Sequence, residues 1–272
     1  MLTLPTLLLF IILGALAGIL AGLFGIGGGI ILIPCFLWAF PLAHFHPDII
    51  VHTAFGTSLA IIIPTAISSA WGHRLRGNVD FHVAWRLAGG SIIGVIIGSS
   101  LSAGLSGDLL KGLMGMMQIG IGLRMFFQGP PPEGLKRHNS IMPILLIGLV
   151  VGSFSAFFGV GGGIIAVPLL VYFLGQTMHQ AVGTSSALMV ISALCGAASY
   201  IWHGWGHSDL PPYSLGYVNS LVTILIAPMT VLFARLGVKI AAHTSQGRLI
   251  KTFALFIIIV GINMVAKNLL LN

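Results

Sequence analysis

Charge is what this sequence has least of. Five of its 272 residues are acidic and twelve are Lys or Arg, so charged side chains make up 6% of the chain. A water-soluble domain carries about 25%. Hydrophobic residues fill 57% of positions and the mean hydropathy is +1.05. Too few polar groups remain to cover a surface facing water. A soluble enzyme is excluded, and the lipid bilayer is the expected environment. Cysteine is nearly absent as well: Cys35 and Cys195 both lie in apolar runs, which points away from a disulfide framework and from a cysteine metal site. No Lys, Arg, Asp or Glu falls deep in an apolar run, and no Gly-x-Ser-x-Gly elbow or His-Glu-x-x-His appears. Neither an intramembrane enzyme nor a resident metal or other cofactor is expected. The net charge of +7 is spread over short loops, which is the pattern of a membrane orientation signal rather than of a nucleic-acid partner. The first basic residue is Arg74, so the N-terminal apolar run lacks the charged start of a secretory signal.

What is there is a series of long apolar segments, the pattern of membrane helices rather than of a barrel. They fall at 6–24, 30–40, 50–71, 84–104 and 109–127, then at 141–158, 164–174, 180–202, 212–236 and 249–270. A polar, proline-rich stretch at 128–140 separates two membrane repeats, 1–127 and 141–272. The repeats are visible as residues. From Phe24 to Pro34 and from Phe158 to Pro168, 8 of 11 positions are identical. A second pair, His52 to Ala60 and His179 to Ala187, matches at 6 of 9 positions. The offset falls from 134 to 127 between the two pairs, so the first half carries about seven extra residues near Pro41–Pro47. Internal repeats of this kind are typical of secondary transporters.

Segments 30–40 and 164–174 have 11 residues each, too few to cross a core that takes about 20. Each either continues the preceding helix past a defect or turns back as a hairpin. The charges choose. With four spans per half, Lys and Arg divide seven against five. With an odd number of traversals, ten fall on one face and only Lys111 and Lys267 on the other. The positive-inside rule expects such a bias. The expected fold is therefore all-α and polytopic, with two inverted repeats. Each has a glycine-broken first helix or re-entrant hairpin followed by three long transmembrane helices. Both termini are then outside and the linker is cytoplasmic, in a bacterial inner membrane.

The chemistry is expected at the breaks. Gly25, Gly27, Gly28 and Gly29 sit inside one apolar run, and Gly159, Gly161, Gly162 and Gly163 inside another. Glycine permits the positive φ that such a turn needs. The short helices that follow, beginning at Ile30 and Ile164, present amides without intrahelical partners and a partial positive charge. That is an anion site without a charged side chain. Thr57 and Ser58, and Thr184, Ser185 and Ser186, lie about two turns into the next spans, and their hydroxyls can donate to an oxyanion. His52 and His179 are repeat-related candidates for a gate or for proton coupling. His44, His46, His203 and His207 share one outer face in this topology, but no carboxylate or cysteine cluster accompanies them, so a metal site is not expected. Gly14, Gly18 and Gly22, and Gly94 and Gly98, are spaced as helix-packing faces.

The repeated break ending in proline, the Gly-Thr-Ser triplets at 56–58 and 183–185, and His73-x3-Gly77-Asn78-Val79-Asp80 together resemble the signature of the TauE/SafE sulfite exporter family. The resemblance covers essentially the whole chain. It implies a permease for a small sulfur-containing anion such as sulfite, an organosulfonate or thiosulfate, moved outward by alternating access. In the second half Tyr200 stands where His73 aligns, so a symmetric role for the histidine is not expected. The alternatives are a cation or metal permease using the outer histidines and a non-transporting membrane assembly factor. The expected partners are a small anion and the bilayer, with a homo-oligomer left open.

Overall fold

The computed structural model describes residues 4–128 and 140–270. The expected linker therefore lies almost wholly outside the described residues. Apolar runs that cannot hydrogen-bond to lipid close their own backbone ladders, and ten α-helices result among the described residues. They are α1 (Leu4–Phe24), α2 (Gly29–Leu42), α3 (Ile50–Arg74), α4 (Phe81–Ala103), α5 (Gly107–Gln128), α6 (Ile141–Phe157), α7 (Gly163–Tyr172), α8 (Met178–His203), α9 (Ser220–Ala242) and α10 (Gln246–Leu270). Five of these stretches, in α3, α4, α8, α9 and α10, are each long and apolar enough to cross a membrane. The chain is an all-α polytopic membrane protein.

Three helix starts near the site differ from the sequence expectation. The last-but-one long helix starts at Ser220 rather than 212. Pro211 and Pro212 cannot continue a helical ladder, and residues 214–219 instead form a hairpin of β1 (Ser214–Leu215) and β2 (Val218–Asn219) turning at Gly216, φ +53°. Asn219 then caps α9 by accepting from Val222 N at 3.0 Å. The short helices start one residue early, at Gly29 and Gly163, with Gly28 and Gly162 as left-handed N-caps.

The pairing of helices is the same when the two halves are exchanged. α1 packs on α9 and α4 on α6 as the two most extensive contacts, each equivalent to the other. Both pairs run parallel through glycine faces. Gly14, Gly18 and Gly22 meet Met229, Thr230 and Ala234 in order, and Gly90, Gly94 and Gly98 meet Leu145, Leu149 and Ser153. These are the packing faces that the spacing predicts. The central pair, α3 and α8, runs antiparallel. Gly56 lies against Tyr200 and Gly183 against His73, Ser69 bonds to Ser186 at 2.9 Å, and Leu59 packs on Gly196. Each contact becomes its partner when the 127-residue offset is applied, so Pro64 and Ile191 mark the crossing level.

The broken helices fold back. A Cβ on Gly28 would stand 3.0 Å from the Ala17 carbonyl, beside the middle of α1, and one on Gly162 would stand 2.8 Å from Val151 of α6. Each short helix thus begins alongside the helix that precedes it.

Close backbone approach at α4 and α6 gives a direct test. A side chain on Gly94 would strike the Leu149 carbonyl, whereas Gly120 of α5 has nothing within 4 Å. Gly94→Leu should lower stability by about 3 kcal/mol or more. Gly120→Ala should be neutral or raise it by about 0.5–1 kcal/mol. Thermal unfolding in detergent measures both; equal effects would contradict the packing.

Candidate functional site

The glycine breaks are built by their backbone. Gly25, Gly27 and Gly28 have φ of +66°, +70° and +83°, and Gly159, Gly161 and Gly162 have +67°, +78° and +85°. L side chains are strained in this region, which accounts for three of the four glycines in each break; the fourth, Gly29 or Gly163, is required by close approach. The two breaks abut. A Cβ on Gly29 would stand 2.9 Å from the Val160 Cα, and one on Gly163 would stand 2.5 Å from both the Gly25 carbonyl and the Ile26 Cα. Residues 134 positions apart in sequence are brought into one buried centre.

The amides at these helix starts have few partners. Ile31 and Leu32 donate to the Gly28 carbonyl at 3.0 and 3.1 Å, and Ile165 and Ala166 to that of Gly162 at 3.2 and 2.9 Å. Among the described residues, the amides of Gly29, Ile30, Gly163 and Ile164 make no well-aligned backbone hydrogen bond, only the loose turns over 27–28 and 161–162. Such orphan donors carry the positive end of the helix dipole.

The hydroxyls divide into two sets. Thr57 Oγ1 accepts from Asn219 N at 3.0 Å, and Thr184 Oγ1 from Asp80 N at 3.1 Å. Each threonine thereby holds the N-cap residue of α9 or α4. Ser186 donates to Val182 O at 2.9 Å. These three serve the scaffold. Ser185 donates to Gly25 O at 3.0 Å, tying α8 to the opposite break. Its counterpart Ser58 is fully buried, has no hydrogen-bond partner among the described residues, and its Oγ would lie 3.1 Å from a Cβ on Gly29.

Sequence reasoning missed three contributors. Ile62 and Met189 fill the space between the breaks: a Cβ on Gly27 would meet Ile62 Cγ2 at 2.8 Å and Met189 Sδ at 3.2 Å, and one on Gly161 would meet the same two side chains at 3.1 and 3.3 Å. They are equivalent at the 127-residue offset, five positions past Thr57 and Thr184, so extending the repeat beyond the hydroxyls would have found them. Ser155 is the third. It is buried without a hydrogen-bond partner among the described residues, and its Cβ lies 3.2 Å from a Cβ placed on Gly162. A serine four residues before Gly159, with Ala21 at the matching place of the first half, gave no repeat to detect.

The family profile described as "Sulfite exporter TauE/SafE" matches residues 10–264. The chain belongs to the TauE/SafE family. It is 31% identical over 261 residues to a probable membrane transporter protein of Haemophilus influenzae, covering 96% of this chain and 98% of that one. It is similar to a second such protein from Methanocaldococcus jannaschii, 27% identical with 89% and 88% covered. A third is the YunE protein of Bacillus subtilis, 23% identical with 96% and 98% covered. All three carry the name of membrane transporters, not of enzymes. No solved structure matches the chain significantly.

Within this TauE/SafE chain the histidines have backbone duties. His52 Nε2–H donates to Ser102 O at 3.0 Å, and His179 Nε2–H lies 3.1 Å from both Ala241 O and Thr244 O. Each joins the start of one long helix to the end of another. His73 Nε2–H donates to Gly22 O at 2.9 Å, and Tyr200 OH donates to Ala156 O at 2.8 Å. Gly22 and Ala156 are equivalent at the 134-residue offset. The two different side chains therefore make one repeated bond, to the last turn of each broken helix. This corrects the expectation that the histidine lacks a symmetric role: an O–H replaces an N–H donor of similar reach. Among the described residues no three His, Cys, Asp or Glu side chains converge.

The hydroxyl asymmetry predicts opposite mutational costs. Ser185→Ala and Tyr200→Phe each lose a bond to a buried carbonyl and should lower stability by about 1–3 kcal/mol. Ser58→Ala removes a hydroxyl that bonds to nothing and should leave stability unchanged or raise it by up to about 1 kcal/mol. Denaturant unfolding in detergent tests this; a Ser58→Ala loss as large as that of Ser185→Ala would contradict the assignment.

Proposed function

We propose that the chain carries a small sulfur-containing anion, sulfite, an organosulfonate or thiosulfate, outward across the membrane by alternating access. The observation that carries this reading is the meeting of two helix N-termini whose amides at Gly29, Ile30, Gly163 and Ile164 make no well-aligned backbone hydrogen bond among the described residues. An oxyanion supplies the acceptors that these groups lack. The unpartnered Ser58 hydroxyl adds a donor beside Gly29. The apolar run before each break holds no charged side chain, so binding rests on dipoles and hydroxyls and is modest in strength. Modest affinity suits export from a filled cytoplasm, and a negative-inside potential favours anion exit.

The antiparallel α3–α8 contact supports two inverted halves, and the Lys/Arg bias then puts both termini outside and the 128–140 linker in the cytoplasm. In such transporters one half rocks against the other around a fixed central site, and with inverted halves the two end states mirror each other. On this reading Ile62 and Met189 are the side chains that withdraw when the site opens. Ser58 then takes up the bond to Gly159 O that mirrors Ser185 on Gly25 O, and Ser185 is released. His52 and His179, each bound to the end of another helix, act as gate latches. The cation alternative lacks a ligand set, because among the described residues no three His, Cys, Asp or Glu side chains converge.

Proteoliposome uptake of labelled sulfite, an organosulfonate, thiosulfate and a divalent metal tests the reading. One of the sulfur anions should move, and Gly28→Leu with Gly162→Leu should abolish its flux. Ser58→Ala, which should fold normally, should slow it about tenfold, the equivalent of one hydrogen bond to a charged group. Metal flux without anion flux would refute the exporter, and no flux of any kind would point to an assembly role. For topology, cysteines at Lys136 and Asn272, with Cys35 and Cys195 replaced, should label from opposite sides; labelling from one side would refute inversion.

A further inference from the structure

We propose that the groove between α3, α4 and α8 is a binding site for one anionic phospholipid. The groove has a volume of about 330 Å³ and is walled by Ile67, Ala70, Ala84, Ala187, Val190 and Ile191. Only its mouth is polar. There Arg74 places its guanidinium 5.2 Å from the Trp71 ring centroid and 5.5 Å from that of Phe81. Rings at that distance hold a cation in place. Among the described residues no carboxylate pairs with Arg74. The Asp80 carboxylate is engaged in capping α4, accepting from Val83 N at 3.1 Å. Arg76 stands two residues on, its Nη1 donating to Gly72 O at 2.8 Å.

The depth of the groove matches a lipid tail. Its inner end, at Ile191, is level with Pro64, the crossing point of α3 and α8. From there to Arg74 is ten helical residues, about 15 Å, or half of a hydrocarbon core about 30 Å thick. Trp71, Phe81 and Trp85 are exposed around the mouth at 52%, 50% and 75%, as aromatic side chains are at a membrane–water boundary. The groove thus spans one leaflet, with apolar walls where an acyl chain lies and a fixed cation where its phosphate sits. A zwitterionic headgroup offers the same tail but no net charge to meet Arg74. The site lies apart from the glycine breaks and does not rest on the transport reading.

The test uses the full chain, delipidated in detergent and given back phosphatidylglycerol or phosphatidylcholine with identical acyl chains. Native mass spectrometry reads the bound lipid. Phosphatidylglycerol should be retained about fivefold more strongly, the effect of one basic residue near a lipid surface. Arg74→Gln should remove that preference and leave phosphatidylcholine retention unchanged, while Arg235→Gln, outside the groove, should keep it. Ala187→Leu, which fills the groove, should lower retention of both lipids. Equal retention of the two lipids by the wild type, or a preference that survives Arg74→Gln, overturns the proposal. A wild-type dimer broken by Ala187→Leu with lipid retention unchanged overturns it in favour of a second copy of the chain.

Discussion

A backbone amide inside a membrane must find its partner within the protein, because the hydrocarbon offers none. Helices meet that demand everywhere except at their first turn. Most helices place the exposed first turn at an aqueous boundary. This chain starts two helices, α2 and α7, in its buried centre, with Gly28 and Gly162 as caps that bring no side-chain oxygen. The positive φ of the break glycines, the fold-back beside α1 and α6, and the contact of Gly29 with Val160 all serve to hold those two starts together.

The repeat preserves contacts more strictly than residue types. His73 and Tyr200 are different residue types that share a ring, a donor and a reach, and both secure the last turn of a broken helix. Asp80 and Asn219 are likewise different caps held by equivalent threonines. Against that background a broken equivalence carries information. Ser185 is bonded to the opposite break and Ser58 is bonded to nothing. With Ile62 and Met189 filling the centre, the proposed reading places the protein in a closed state in which the two halves are not equivalent.

The membrane class, the helices and the two breaks were legible in composition and in the glycine repeat, since each depends on the local run of residues. Helix starts were less so. The 212–219 stretch is apolar enough to read as helix, and only its two prolines and Gly216 argue otherwise. The destinations of the hydroxyls were not legible. Thr57 and Ser58 are neighbours of the same chemical kind, yet one serves a distant N-cap and the other faces the break. That difference arises from their angular separation on α3, seen only once α2 and α9 are in place. Ile62 and Met189 were hidden by their ordinariness as apolar residues in an apolar chain.

The central claim is that the orphan amides are the anion site, and an electron cryomicroscopy structure of the protein soaked with thiosulfate tests it most directly. The account predicts density within hydrogen-bond distance, about 3 Å, of the amides of Gly29, Ile30, Gly163 and Ile164, with Ile62 and Met189 displaced. A bound anion elsewhere, with the two breaks still closed on those side chains, would contradict it.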